Sequence, residues 1–325
     1  MTTKLALRTM GKSDLQLTAL GLGCWQFSKG KGMAGRFWPT LDQKDIVDIV
    51  RVTYEEGINW FDTAELYGKG QSELALSDAL QAQGIKPGEV KIATKWWPFP
   101  RTAGNIAKTI EDRIRYLQGY PIDLYQVHQP FSLSSIEAQM KGMARLVHEG
   151  KVRYVGVSNY SAEQMRRAHE ALAKEGVPLI ANQVKYSMLD RRIEQNGVLS
   201  TAKELGIAII AYSPLEQGLL TGKFHRDLSL RQALSGARKY QGKFKEQALK
   251  KTQPLIDALE TIAARYEVGA TQVALNWLVS FHGDTVFAIP GASKVSQAKE
   301  NTKTLTFTLT KEELQSLDQI ARSLT

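Results

Sequence analysis

Eight short apolar runs, separated by longer segments of helical spacing, constrain the fold of this chain more than any other feature. The runs are ALGLG (19–23), INWF (58–61), VKIAT (90–94), IDLYQV (122–127), VRYVGV (152–157), LIANQV (179–184), IAIIAY (207–212) and TVFAI (285–289). Each is nearly apolar throughout, which is typical of parallel strands buried on both faces. Between them the spacing predicts helices at 42–57, 72–84, 105–118, 134–150, 162–176 and 197–206. Several of these end in Gly, the residue that best adopts a left-handed helix C-cap.

Eight strand–helix units in about 300 residues predict an α/β fold of the closed (β/α)₈ TIM-barrel type. The segments LALRTM, GKSD and LQLTAL add a β-hairpin before the barrel. A Rossmann-type sheet would need a Gly-rich turn opening a helix after the first strand, and GLGCW (21–25) is followed by no helical pattern. Long loops are expected after the first strand (25–40) and the seventh (213–252), where such lengths are usually functional. We expect one domain over residues 1–325.

Composition limits the class of protein. Of 325 residues, 43% are hydrophobic and 23% charged, which is ample for a packed core. No window approaches the roughly 18 apolar residues of a membrane span, and the first residues lack the apolar stretch of a secretion signal. We therefore expect a cytoplasmic protein. The single cysteine, Cys24, excludes an internal disulfide and is expected to be a small buried hydrophobe.

The net charge of +9 is consistent with an anionic partner. The densest basic stretch, residues 225–251, has few aromatic residues and no nucleic-acid motif. A loop closing over a phosphorylated ligand is slightly favoured over a solvated surface, and no nucleic-acid or membrane partner is expected.

Polar side chains collect where the predicted strands end. In a parallel barrel the carboxyl ends of the strands meet at one rim, which carries the catalytic groups. The residues at that rim are Asp62, Tyr67, Lys95, His128, Ser158, Asn159, Gln183, Tyr212 and Ser213. Each alone has an ordinary structural explanation, such as a helix cap for Asp62. Their joint placement at successive strand ends indicates a site, whereas Glu65 is expected to be only solvated or locally hydrogen-bonded.

These groups can move a proton. A cation near a tyrosine oxygen stabilises the phenolate and lowers its pKa, and Lys95 can be that cation. Asp62 would keep a buried Lys95 charged, while His128 can donate a hydrogen bond to the same substrate oxygen. Together they would polarise and protonate a carbonyl. An isomerase or aldolase that uses Lys95 as a Schiff-base amine is an alternative.

The motifs carrying these residues resemble the aldo-keto reductases. They are DTAELYG (62–68), ATKWWP (93–98), LYQVHQP (124–130), VGVSNY (155–160), NQVKYS (182–187), AYSPLEQGLLTGK (211–223) and IPGASKVSQAKEN (289–301). The resemblance covers nearly the whole chain in order.

The resemblance implies a metal-free, NADP(H)-dependent reductase with Tyr67 as proton donor, tuned by Lys95 and Asp62, and with His128 positioning the carbonyl. Ser158, Asn159 and Gln183 would hold the nicotinamide carboxamide, because amide side chains offer both donors and acceptors. Tyr212 would stack on the ring. The backbone of Ser213, Pro214, Leu215 and Gly218 would lie along the pyrophosphate, with Lys223 supplying charge and Trp25 also contacting the cofactor.

The chain departs from the family pattern at the ribose 2′-phosphate. Many members have a Lys-Ser pair after the Ile-Pro and an Arg six residues beyond the Lys, and here these positions are Gly291, Ala292 and Gln297. Ser293 and Lys294 are the nearest replacements, with Gln297 and Asn301 left to contact phosphate or adenine edges. NADP(H) is still predicted over NAD(H), although one lysine replaces a bidentate guanidinium only as a point charge.

The substrate pocket is expected to be aromatic, with Trp25, Phe27, Trp38, Trp96 and Trp97 as walls and one ring of the Trp96–Trp97 pair structural. Such walls favour apolar or aromatic carbonyl compounds over highly charged ones. We expect reduction of aldehydes, with some ketones and dicarbonyls accepted. The resemblance also extends to potassium-channel β subunits, so a cofactor-binding regulatory subunit of a membrane partner is the alternative function. A monomer is expected.

Overall fold

The eight predicted barrel strands form one parallel sheet in which each strand pairs with its neighbours in chain order. In this computed structural model residues 5–32, 37–232, 234 and 240–324 are described. The strands are Leu22–Gly23, Trp60–Asp62, Lys91–Trp96, Leu124–Val127, Tyr154–Ser158, Leu179–Lys185, Ala208–Tyr212 and Val286–Ala288. Each lies within one to three residues of the apolar run that predicts it.

Backbone hydrogen bonds between the first and eighth strands close the sheet. The N–H of Ala288 donates to the carbonyl of Ala19 at 2.9 Å, and the N–H of Gly21 donates to the carbonyl of Ala288 at 2.9 Å. Gly23 then donates to the carbonyl of Pro290 at 3.2 Å. A closed ring leaves no unpaired sheet edge, and the predicted (β/α)₈ barrel is confirmed.

The predicted hairpin, Leu7–Thr9 paired with Gln16–Thr18, lies at the amino end of the barrel. Its apolar residues Met10, Leu15 and Leu17 pack in one cluster with Trp60 and Leu124, the first residues of their strands. The hairpin therefore covers the end of the barrel away from the rim.

The six predicted helices are present, with slightly shorter bounds. They are Gln43–Glu55, Gln71–Ala82, Ile106–Tyr116, Ile136–His148, Ala162–Lys174 and Val198–Leu205. Their apolar faces bury the main hydrophobic core against the outside of the barrel. Among the described helices none is both long and apolar enough to cross a bilayer.

The long segments contain more structure than the sequence pattern predicts. Additional α-helices are Arg192–Gln195, Lys223–Arg226, Glu246–Arg265, Ala270–Ser280, Val295–Thr302 and Lys311–Leu324. Short 3₁₀ turns are Trp25–Ser28, Ala103–Asn105, Glu216–Thr221, Leu228–Arg231, Gly242–Phe244, Gly283–Thr285 and Lys303–Leu305. After the seventh strand Leu219, Phe224, Phe244 and Leu249 form a small apolar cluster of their own. Residues 33–36, 233 and 235–239 of the two predicted long loops lie outside the described residues.

Gly21, directly before the first strand, gives a test of the barrel packing. A Cβ atom there would lie 2.4 Å from the indole ring of Trp60. That ring cannot move away, since it is buried and its Nε1 donates to the carbonyl of Thr18 at 2.9 Å. We expect Gly21→Ala to lower the free energy of unfolding by about 1–3 kcal/mol through overpacking, as measured by urea titration. Gly242→Ala is the control, because no atom lies within 4 Å of the added Cβ. Equal stability of the two variants would contradict this account.

Candidate functional site

A cleft of about 860 Å³ opens at the carboxyl ends of the barrel strands. Most of the predicted site residues line it. They are Trp25, Trp38, Asp62, Tyr67, Trp97, His128, Ser158, Asn159, Gln183, Tyr212, Ser213, Pro214, Leu215, Gly218, Lys223, Gly291, Ser293, Gln297 and Asn301. The barrel therefore brings together side chains that are up to 276 positions apart (Trp25 to Asn301) in the sequence.

Four predicted residues do not line the cleft. Lys95 is fully buried beneath it. Phe27 and Trp96 are also fully buried in the main core, and the Trp96 Nε1 donates to Asn105 Oδ1 at 3.1 Å. The expectation that these two rings face the substrate is corrected: they are packing residues. Lys294 is exposed outside the cleft.

The Lys95 ammonium group is held inside the barrel by Asp62. The two side chains form a buried hydrogen-bonded ion pair, and Lys95 Nζ also donates to the carbonyl of Thr63 at 2.8 Å. The second carboxylate oxygen of Asp62 accepts from Gln183 Nε2 at 2.8 Å and from Gln126 Nε2 at 3.2 Å. Because each charge has several partners, the pair is stable in a place that water does not reach.

Tyr67 lies directly above this pair. Lys95 Nζ is 5.1 Å from the centre of the phenol ring. The ring stacks on Trp25 at 5.9 Å between centroids and meets His128 edge-on at 5.8 Å. Burial, aided by the negative charge of Asp62, raises the pKa of Tyr67 well above 10. The charge of Lys95 alone was expected to lower this pKa, and that direction is wrong because burial is the larger effect. The phenol is thus held in its protonated form.

His128 follows the fourth strand and is nine-tenths buried, with 9% of its surface exposed. Burial lowers the pKa of its imidazole well below 6.5, and the nearby charge of Lys95 acts in the same direction. The ring is therefore neutral at pH 7. Its Nδ1 is buried and has no hydrogen-bond partner, which is costly unless a ligand supplies one. Trp97 contacts the same ring edge-on at 5.4 Å.

The fifth and seventh strands end in a linked set of polar groups. Tyr212 donates its hydroxyl to Asn159 Oδ1 at 3.0 Å, and Asn159 Nδ2 donates to Ser158 Oγ at 3.1 Å. The backbone of Asn159 has φ of 60° and that of Ser213 has φ of 52°. Left-handed conformations at residues other than Gly cost energy and cluster at functional sites.

The wall beyond Ser213 is stiffened by ion pairs. Glu216 is buried and accepts from Lys185 Nζ at 2.9 Å and Lys243 Nζ at 2.7 Å. Arg226, also in the basic stretch, pairs with Glu260. The described part of that stretch is thus partly neutralised by acidic neighbours.

At the far end of the cleft, Gln297 Oε1 accepts from the N–H of Ser293 at 2.9 Å and from its hydroxyl at 3.1 Å. These residues lie at the start of the helix Val295–Thr302. A Cβ on Gly291 would lie 2.4 Å from the side-chain amide of Gln26, so glycine permits a close approach there.

Sequence reasoning missed several residues at or below the cleft. Gly269, Ala270 and Thr271 line it from the start of a helix that periodicity did not identify. Gln126 lies below the cleft on the fourth strand, two residues before His128. Side chains two positions apart on a strand share a face, and this rule would have placed both of them inside the barrel. Glu65 is locally hydrogen-bonded as expected, accepting from the N–H of Trp97 at 3.0 Å and from Arg101 at 2.6 Å. It joins the loops after the second and third strands.

Sequence comparison agrees with this geometry. The profile of the Aldo/keto reductase family matches residues 19–322. The chain belongs to the aldo/keto reductase family. An uncharacterized oxidoreductase of Mycobacterium bovis is 36% identical over 308 residues, covering 95% of this chain and 90% of the relative. A probable aldo-keto reductase of Glycine max is 28% identical and covers 95% and 86% of the two chains.

Two solved aldo/keto reductase folds superpose on this one. The glycerol dehydrogenase of Gluconobacter oxydans has a TM-score of 0.83 at 28% identity, covering 98% of this chain and 96% of its own. A thermostable aldo-keto reductase crystallised with the inhibitor epalrestat has a TM-score of 0.77 at 27% identity, covering 97% and 100%. Members of the family are oxidoreductases that generally use NAD(P)H.

The arrangement suits proton transfer better than Schiff-base chemistry. An amine that attacks a carbonyl must be unprotonated and reachable by the substrate. Lys95 is fully buried, ion-paired to Asp62 and absent from the lining of the cleft. Among the described residues no three His, Cys, Asp or Glu side chains are grouped to hold a metal ion.

The neutral state of His128 predicts a pH-dependent stability. Below about pH 6.5 the unfolded chain binds a proton on this ring whereas the folded chain does not, so stability falls as the pH falls. Relative to His128→Gln, we expect the wild-type free energy of unfolding to decrease by about 1.4 kcal/mol per pH unit below about pH 6.5. Urea titrations between about pH 5 and 8 measure this difference. Parallel curves for the two proteins would show that the folded chain binds a proton at His128 as readily as the unfolded chain does, and would contradict the lowered pKa.

Proposed function

We propose that this aldo/keto reductase reduces aldehydes, and some ketones and dicarbonyls, to alcohols with NADPH as the hydride source. The observation that carries the proposal is the position of Tyr67. Its phenol is protonated, faces the cleft beside His128, and lies over the buried Lys95–Asp62 pair. That is the arrangement needed by a group that gives a proton to a substrate oxygen and must then carry negative charge.

The cleft fits a nicotinamide dinucleotide. Amide side chains that can pair with a carboxamide line the cleft on Asn159 and Gln183, and Tyr212, hydrogen-bonded to Asn159, offers an aromatic face. The cleft then continues along the backbone from Ser213 to Lys223 and reaches the start of the helix Val295–Thr302, where anions are favoured. When bound, NADPH supplies the hydride for the carbonyl carbon.

The residues of the chain handle the proton. Tyr67 donates its hydroxyl proton to the carbonyl oxygen. The ammonium group of Lys95 stabilises the phenolate that remains, and Asp62 keeps Lys95 charged. The neutral ring of His128 can donate its remaining N–H to the same oxygen, which orients the carbonyl without placing a second cation beside Lys95.

The substrate end of the cleft is walled by Trp25, Trp38, Leu66 and Trp97. Aromatic and aliphatic walls favour apolar or aromatic carbonyl compounds over highly charged ones. One solved relative is named a glycerol dehydrogenase, which supports interconversion of a carbonyl and an alcohol. The relatives compared above are named oxidoreductases and reductases, and this favours an enzyme over a regulatory subunit of a membrane partner. A cytoplasmic location and a monomeric state remain predictions.

A screen of reactive aldehydes, including methylglyoxal and a nitrobenzaldehyde, run in parallel with NADPH and NADH tests the proposal. Oxidation of NADPH at 340 nm is expected with several of them. Absence of oxidation with all of them would overturn it.

Removal of the Tyr67 hydroxyl tests the proton donor. We expect Tyr67→Phe to lower kcat for aldehyde reduction by about 10²–10⁴-fold, because the phenol supplies general acid catalysis. NADPH binding, followed by quenching of tryptophan fluorescence, should persist. Tyr160→Phe is the control, since the Tyr160 hydroxyl is buried without a hydrogen-bond partner and Tyr160 does not line the cleft. A Tyr67→Phe enzyme with more than half the wild-type rate would exclude this role.

The missing guanidinium at position 297 gives a test of cofactor choice. Gln297 lines the cleft at the start of the helix Val295–Thr302, where a 2′-phosphate would bind. We expect Gln297→Arg to raise the ratio of kcat/KM for NADPH over NADH by about ten-fold or more, through a bidentate phosphate contact. Gln81→Arg adds the same charge on the exposed face of another helix and should leave the ratio unchanged. An equal rise in both variants would indicate a general effect of charge.

A further inference from the structure

Gln126 is a buried polar residue inside the barrel that the proposed mechanism does not use. It lies on the fourth strand and has no exposed surface. An amide group in such a place is costly unless its donors and acceptors are paired. Its partners are therefore informative about its role.

Those partners belong to the proposed proton relay. Gln126 Nε2 donates to Asp62 Oδ2 at 3.2 Å. Gln126 Oε1 accepts from Gln183 Nε2 at 3.4 Å, and the same Nε2 donates to Asp62 Oδ2 at 2.8 Å. In the barrel register Gln126 is also the neighbour of Lys95. Its amide thus joins the carboxylate of the relay to the amide proposed to hold the nicotinamide.

The adjacent strand provides room for this side chain. Gly156 pairs with Gln126 in the register of the fourth and fifth strands. A Cβ on Gly156 would lie 3.0 Å from Gln126 Cγ. The small residue lets the glutamine keep the conformation in which its amide reaches Asp62.

We propose that Gln126 is a positioning residue that orients the Asp62 carboxylate and fixes Gln183 beside it. Both amides donate to the same carboxylate oxygen, Oδ2, while Lys95 donates to the other oxygen, Oδ1. The oriented carboxylate pairs with Lys95, and that cation lies beneath Tyr67. The expected effect of Gln126 on the reaction rate rests on the proposed function, whereas its effect on Asp62 does not.

The other titratable groups around Asp62 do not replace Gln126. Lys95 comes from the third strand and carries the compensating positive charge. Burial raises the pKa of the Cys24 thiol and of the Tyr67 phenol, so both are neutral. Burial lowers the pKa of His128, so it adds no charge. Two amides and one ammonium group therefore satisfy the carboxylate.

The first test is Gln126→Met, which keeps the volume of the side chain and removes the donor. In the protein without cofactor we expect a loss of thermal stability, because the buried Asp62 carboxylate then keeps one amide donor instead of two. Gln139→Met is the matched control, because the Gln139 side chain is also buried but donates to the carbonyls of Ser134 and Ser135. It should lose stability without the change in kcat expected for Gln126→Met.

The second test is kinetic. Gln126→Met should lower kcat at neutral pH by about ten-fold and raise KM for NADPH, because Gln183 loses the partner that fixes it. Gln126→Glu should be most active at low pH, where the new carboxyl group is protonated and can donate to Asp62. As the pH rises, two carboxylates repel and activity should fall.

The outcomes separate this inference from the proposed function. Wild-type stability or wild-type kcat in Gln126→Met, or identical pH profiles of kcat for wild type and Gln126→Glu, would overturn the role of Gln126. Failure of the proposed function would instead appear as a wild-type enzyme that oxidises no NADPH with any aldehyde, while the stability loss of Gln126→Met remains.

Discussion

The ion pair between Lys95 and Asp62 is the interaction on which the rest of the site depends. Both side chains are at or near zero exposure, where an uncompensated charge would be strongly unfavourable. Breaking a buried pair by removing one partner typically costs about 3–5 kcal/mol. The barrel avoids that cost by surrounding the pair with the carbonyl of Thr63 and the amides of Gln126 and Gln183. The side chains of this network come from strands two, three, four and six, so the pair exists only in the closed barrel.

Burial and the same pair together determine the charge state of the groups that face the cleft. Burial lowers the pKa of His128, and the nearby charge of Lys95 lowers it further, so the ring is neutral. Burial raises the pKa of Tyr67, and the negative charge of Asp62 raises it further, so the phenol keeps its proton. A substrate oxygen entering the cleft therefore meets neutral hydrogen-bond donors rather than free charges. Charge developing on that oxygen would be stabilised by groups that are already oriented, which is the more effective arrangement in a site of low dielectric.

Much of this could be predicted from the sequence because the barrel is a repetitive fold. Apolar runs identified each strand, and the first polar residue after a run marked the rim at Asp62, Lys95 and His128. The predictions were wrong where the alternation of side chains along a strand was not used to decide which way each side chain points. Trp96 and Trp97 are adjacent, so their side chains point to opposite faces, and Trp96 packs in the core. Phe27 lies in a 3₁₀ turn, whose buried side is not readable from composition. Cleft residues such as Gly269 belong to the helices after the seventh strand. They do not follow a strand, so the rule that site residues lie at strand ends did not identify them.

The sequence by itself determined the order and number of strands, the polar residues at their ends and the family to which they belong. These properties are local, since each depends on a few consecutive residues and on the rule that parallel strands share one rim. Tertiary structure decided the protonation states of Tyr67 and His128, the burial of Lys95, and the contact of Gln126 with Asp62. Those depend on burial and on distances between residues from different strands, and neither quantity can be read from a chain before it has closed into a barrel.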